Sequence, residues 1–160
     1  MGFLPIILAI LGFLFLWAIV NYQSLRIRKN EVDHAADEVF QQAGYRNQIL
    51  KSLPSSDNDE VGLKEIFALI KRKLDEHQRT EMSVEDKIRF EKQIDELMTD
   101  IPPPDGHAEY EESYLALQKS HQDYQRAVVS YRRRLREYNE LIQKNPTKML
   151  AKLSGFRPIA

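Results

Sequence analysis

Residues 110–142 read YEESYLALQKSHQDYQRAVVSYRRRLREYNELI, and their spacing decides the fold class. Tyr110, Tyr114, Leu117, His121, Tyr124, Val128, Tyr131, Leu135, Tyr138 and Ile142 follow one another at alternating steps of four and three across thirty-three residues. A 3.5-residue repeat keeps such side chains on one stripe of a helix, about 50 Å long at 1.5 Å per residue. A seam this long needs neighbouring helices to cover it, so an all-α bundle is expected. Five of the ten seam positions are tyrosine, which suits rings packed inward with hydroxyls reaching the edge. His121 sits on the same seam and needs a hydrogen-bond partner there, a tyrosine being one candidate.

Three further helical patterns lie upstream. Val32, Ala36, Val39, Ala43, Leu50 and Leu53 recur at helical spacing, with Arg46 interrupting the stripe. Pro54-Ser55-Ser56-Asp57-Asn58-Asp59 ends that run and offers caps for the next. Leu63, Ile66, Phe67, Ile70 and Leu74 form the second stripe, which runs out near Thr80. Ser83 followed by Asp86 has the spacing of a helix cap, and opens a third helix with Val84, Ile88, Ile94, Leu97 and Ile101 on its apolar face. Pro102-Pro103-Pro104-Asp105-Gly106 is the sharpest break, because no helix continues through three prolines. Four helices joined by short turns predict an antiparallel up-and-down four-helix bundle. An even helix count returns the C-terminus to the end of the bundle where the first helix enters.

The first helix has a different beginning. Phe3 to Val20 reads FLPIILAILGFLFLWAIV, eighteen residues without a charged or strongly polar side chain. Such a stretch spans about 27 Å, close to the ~30 Å thickness of a bilayer's hydrocarbon core. Phe3, Leu8, Leu11, Leu14 and Val20 would face lipid, while Trp17 and Tyr22 lie near the end where amphipathic rings favour headgroups. No basic region precedes the run and no small-x-small site follows it, so a membrane anchor is expected rather than a cleaved signal peptide. With no Gly–Pro break after it, one helix is expected to continue from the span to about Leu53. Arg26, Arg28 and Lys29 follow the span and nothing basic but the α-amino group precedes it. The positive-inside rule therefore predicts a single pass with the N-terminus outside and the body cytoplasmic. Ala9, Gly12 and Ala18 do not form a small-xxx-small dimerisation face. The expected organisation is an anchor over 1–22, a cytoplasmic bundle over 23–145 and a basic, apolar tail over 146–160.

The rest of the chain is strongly polar. Over the whole chain charged residues make up 29%, there are only 6 glycines, and the net charge is −1. The absence of cysteine excludes disulfides, thiolate zinc sites, iron–sulfur clusters and a cysteine nucleophile. From His121 onward nine Lys or Arg stand against three Asp or Glu. From Lys144 to Ala160, Lys144, Lys148, Lys152 and Arg157 interleave with Met149, Leu150, Leu153, Phe156 and Ile159. That mixture fits a segment lying on anionic headgroups, with Lys148 and Lys152 at the membrane surface. It equally fits a segment packing its apolar side on the bundle. The basic run Arg132-Arg133-Arg134-Leu135-Arg136 suits ion pairs with neighbouring helices better than nucleic acid, since no aromatic–glycine reading motif accompanies it.

Chemistry is sparse. Glu31-Val32-Asp33-His34 has the Glu-x-x-His spacing of a di-iron bundle, but the motif occurs once, and His77, His107 and His121 lack it. No metal ligand set, cofactor loop, nucleophile elbow or catalytic residue is expected, and the chain is read as non-enzymatic.

The last helix also carries a family likeness. Ala127-Val128-Val129-Ser130-Tyr131, Leu135, Tyr138-Asn139, Ile142, Pro146, Ala151 and Gly155-Phe156 resemble the closing signature of the LemA family. There, two tyrosine–asparagine pairs on one helix are followed by Phe-Pro and Gly-Phe. Asn21-Tyr22 and Arg26-Ile27-Arg28 resemble the family's junction after its apolar helix. The likeness covers roughly residues 3–50 and 125–158. It departs at Tyr131-Arg132, at Asn145-Pro146 and at Gln42-Ala43-Gly44-Tyr45-Arg46-Asn47, which replaces an arginine–leucine–proline stretch. The resemblance implies a divergent member built as an antiparallel helical bundle on one span, in a bacterial plasma (inner) membrane. Some relatives act in building specialised bacterial membrane compartments. Tyr131, Tyr138, Asn139, Pro146, Gly155 and Phe156 are expected to pack, with Gly155 turning the chain where a side chain would clash and Phe156 anchoring the tail. The function expected is that of a membrane-anchored scaffold, in contact with lipid and with copies of itself or other membrane proteins. The alternative is a regulatory adaptor that binds a partner protein through the bundle.

Overall fold

A computed structural model describes residues 3–53, 61–77, 82–99, 101, 108–145 and 147–159. Among these the chain is all-helical, with α1 Leu4–Ser52, α2 Val61–His77, α3 Val84–Met98, α4 Ala108–Gln143 and α5 Thr147–Leu153, and no strand. The breaks at Pro54–Asp59 and Pro102–Gly106, the residues near Thr80, His107, Pro146 and the side chains of Leu63 and His77 lie outside the described residues.

Helix α1 runs 49 residues without interruption, as the lack of a breaker after the apolar run predicts. Pro5 falls in its first turn, where a missing N–H is harmless. It is long and apolar enough to cross a membrane, with a mean hydropathy of 2.2 over its most apolar window, none of which is buried. Twelve large apolar side chains from Phe3 to Val20 are exposed, including Leu8, Leu11 and Leu14. At about 2 kcal/mol each, leaving them in water would forfeit roughly 24 kcal/mol, more than the whole stability of a typical domain. At the end of this run Asn21 Nδ2 donates to Trp17 O at 2.9 Å, so the first polar side chain is satisfied by the helix itself.

Ser83 caps α3 as its spacing predicts. It is extended (φ −67°, ψ 160°) and its Oγ accepts from Asp86 N at 3.1 Å. The buried face of α3 is Phe90, Glu91 and Ile94; Val84, Ile88 and Leu97 are half-buried, and Ile101 is buried beyond the helix end. On α4 the whole seam avoids solvent. Leu117, Tyr124, Val128, Tyr131, Tyr138 and Ile142 are buried, and Tyr110, Tyr114, His121 and Leu135 half-buried. Periodicity did not mark α5, a seven-residue helix within the tail.

The chain divides into two compact units. The first comprises Met1–Ala35 and Ser130–Ala160, and buries Leu25, Val32, Tyr131, Tyr138, Ile142 and Ala151. The second comprises Ala36–Val129. Its core cluster draws Leu50 from the end of α1 and Leu53 from just beyond it, Phe67, Ile70 and Leu74 from α2, Phe90 and Ile94 from α3, and Leu117 from α4.

Candidate functional site

In the second unit the side chain that interrupts the α1 stripe becomes its centre. Arg46 is fully buried and forms ion pairs with Glu91, also fully buried, and with the partly exposed Asp95. Its guanidinium lies 4.5 Å from the centre of the Tyr124 ring. Glu91 Oε1 also accepts from Asn47 Nδ2 at 2.8 Å and pairs with Lys87 Nζ at 2.7 Å. The cluster thus joins α1 to α3 through charge-assisted bonds and α1 to α4 through the cation over the Tyr124 ring.

His121 completes the cluster, and its partners are not tyrosines. Nδ1 lies 3.0 Å from Arg46 Nη1 and 3.5 Å from Asp95 Oδ1, and Nε2 lies 2.8 Å from Gln125 Nε2. A guanidinium only donates, so a hydrogen bond to Arg46 makes Nδ1 the acceptor. Nε2 is then the N–H, and the Gln125 amide must turn its oxygen towards the ring. Among the described residues, Arg46 Nε and Asn47 Oδ1 are buried without a hydrogen-bond partner.

A groove of about 670 Å³ adjoins the cluster and shares its Asn47 and Lys87. Phe40, Gly44, Tyr45, Leu74 and Phe90 line it as well. Tyr45 is 57% exposed and Phe40 36%, an aromatic pair flanking a glycine with no side chain. Lys51 at its edge is held by Asp75 at 2.5 Å. Glu91 is fully engaged by Arg46, Lys87 and Asn47, which suits a structural role better than proton transfer.

The first unit gathers the residues of the family-like signature from Ser130 onward. Tyr138 Oη donates to Arg157 O at 3.2 Å. Asn139 Nδ2 donates to Ile159 O at 2.8 Å, and its Oδ1 accepts from Ile159 N at 3.0 Å. Gly155 has φ +78°, and Phe156 N donates to Ala151 O at 3.0 Å, the six-to-one bond of a glycine-terminated helix. A Cβ at Gly155 would meet nothing within 4 Å, so the left-handed backbone requires glycine and the expected clash is absent. The Phe156 ring meets Tyr22 edge-on, with centroids 5.7 Å apart. Tyr131 is buried, and Pro146 lies outside the described residues.

The basic residues divide by environment. Arg28 reaches Glu31 at 2.9 Å and Glu137 at 3.1 Å, and Arg134 reaches the same two carboxylates at 3.2 and 3.8 Å. This four-membered ring of charges ties α1 to α4 and occupies the glutamate of the Glu31–His34 motif. Lys29 pairs with Asp33 at 2.8 Å, and that hydrogen bond raises the lysine's pKa above its usual 10.5. Burial raises the Tyr138 phenol above 10.0. Arg26, Lys148 and Lys152 are exposed. Among the described residues no group of three or more His, Cys, Asp or Glu side chains is placed to hold a metal ion.

Among the described residues these features define an all-helical protein with one helix long and apolar enough to cross a membrane. No protein-family model, curated protein or solved structure matches the chain.

Proposed function

We propose that this chain is a single-pass scaffold of the bacterial plasma membrane, a divergent LemA-family member whose cytoplasmic bundle self-associates. In this reading residues 3–20 span the bilayer with the N-terminus outside, and α1 to α4 form an antiparallel up-and-down bundle. The observation that carries it is α1 itself. One unbroken helix joins twelve exposed apolar side chains to a segment whose Arg46, Leu50 and Leu53 are built into a packed core. The aromatic groove lined by Phe40, Gly44 and Tyr45 supplies the surface for association, and no step of the function is catalytic. Convergence of Tyr138, Asn139, Gly155 and Phe156 on one clasp supports the family reading.

Light scattering on a sizing column tests self-association of the detergent-solubilised full chain. A dimer or larger species is expected, and Phe40→Ser with Tyr45→Ser should dissociate it. A strict monomer of the unaltered chain would sink the scaffold and favour the adaptor.

A further inference from the structure

Helix α5 gives only one side to the protein. Thr147 and Ala151 are buried, whereas Lys148, Met149, Lys152 and Leu153 are exposed. At about 100° per residue these four fall within an arc of about 140°, cations at one edge and apolar side chains at the other. Met149 is 70% exposed and Leu153 85%, so two of the three large apolar groups of this helix point away from the core, Leu150 being half-buried. Packing on the bundle does not explain that face.

A cavity of about 370 Å³ lies beside it, between the end of α4, α5 and the tail. Ile142, Ala151 and Phe156 line it together with Lys148, Lys152 and Arg157. None of these three cations has a carboxylate partner among the described residues. The position is set by Phe156, whose ring rests on Tyr22, two residues beyond the last apolar side chain of the candidate span.

We infer that this face and cavity bind an anionic phospholipid of the leaflet at the cytoplasmic end of α1, an inference that rests on the proposed anchor. Lys148, Lys152 and Arg157 take the phosphate, and Met149 and Leu153 enter the acyl boundary. Three cations beside an apolar face match a molecule that is anionic at one end and greasy at the other. A soluble phosphate would leave Met149 and Leu153 in water.

The chain has no cysteine and a single tryptophan, Trp17, which makes two independent probes possible. A polarity-sensitive dye on Leu153→Cys reports the tail, and quenching of Trp17 by brominated lipid reports the anchor. The full chain is placed in nanodiscs of phosphatidylcholine alone or with about one-third phosphatidylglycerol, a composition within which each cation near the surface gains favourable energy. The dye emission is expected to shift to the blue in the anionic discs and much less in the neutral ones. Lys148→Gln, Lys152→Gln and Arg157→Gln together should abolish that shift while helical circular dichroism is retained. Equal emission in the two discs, or a shift that survives the triple substitution, overturns the inference. Displacement by soluble glycerol phosphate also overturns it, because the site would then take a free phosphate. Quenched Trp17 with an unshifted dye leaves the anchor standing and removes only the lipid site. Unquenched Trp17 removes both.

Discussion

Arg46→Ala isolates the energetics of the second unit. The substitution strands Glu91, which is fully buried, and removes the cation over Tyr124. Deleting one partner of a buried ion pair generally costs about 3–5 kcal/mol, because the remaining charge stays out of water. Two features place this site at the lower end. Glu91 keeps Lys87 at 2.7 Å and Asn47 at 2.8 Å, and the partly exposed Asp95 can rehydrate. Arg46 Nε also has no hydrogen-bond partner to lose among the described residues. A loss of about 3 kcal/mol is therefore expected. Arg46→Met combined with Glu91→Leu removes both charges but takes the acceptor from Asn47 and Lys87, and should lie about 1–2 kcal/mol below the native protein, closer to it than the single variant. Urea unfolding of the full chain in detergent, followed by circular dichroism, reads both values from the midpoint when the slope is unchanged. A single variant costing less than about 1 kcal/mol, or a double variant as unstable as the single, would show that the buried charge of Glu91 does not depend on Arg46.

Other outcomes follow from the first unit. Gly155→Ala should cost about 1–2 kcal/mol through its positive φ, with no steric term, and speed amide exchange at Phe156. Asn139→Ala removes both bonds to Ile159, a local loss of about 2 kcal/mol visible as faster exchange at the Ile159 amide while α4 stays protected. A folded-state pKa above the unfolded one gives stability that is complete below the unfolded pKa and lost as pH rises through the folded one. For Tyr138 that window opens above 10.0 and for Lys29 above 10.5, so the thermal midpoint should fall as pH climbs past 10.0, and Tyr138→Phe should flatten the fall.

Local signals carried much of the fold. The alternating steps on α4, the Ser83 cap and the unbroken continuation of α1 are short-range patterns, and each reappears in the helices. The candidate site was harder to see because its contacts are long-range. Glu91 and Asp95 lie 45 and 49 positions from Arg46; at about 100° per residue both fall within the stripe of Val84, Ile88 and Ile94, but no local pattern says which distant cation they meet. The available signal was Arg46 itself, a charge in register with Val39, Ala43 and Leu50, which calls for a buried carboxylate. Once Glu91 answers it, the buried face of α3 turns towards Phe90 and Glu91. Asn139 was legible as a residue off the seam, but its partner is backbone twenty residues on, in a tail without periodicity. Helix α5 is too short to show a period, and its end is fixed by the Gly155 turn.

The proposed topology is one membrane crossing with the bundle in the cytoplasm. Because the chain lacks cysteine, Gly2→Cys and Ser52→Cys can be labelled one at a time with a membrane-impermeant maleimide in bacterial cells expressing the protein. With this topology Gly2→Cys reacts in intact cells and Ser52→Cys only after the inner membrane is permeabilised. Labelling of Ser52→Cys from outside, or recovery of the protein in the soluble fraction, would contradict it.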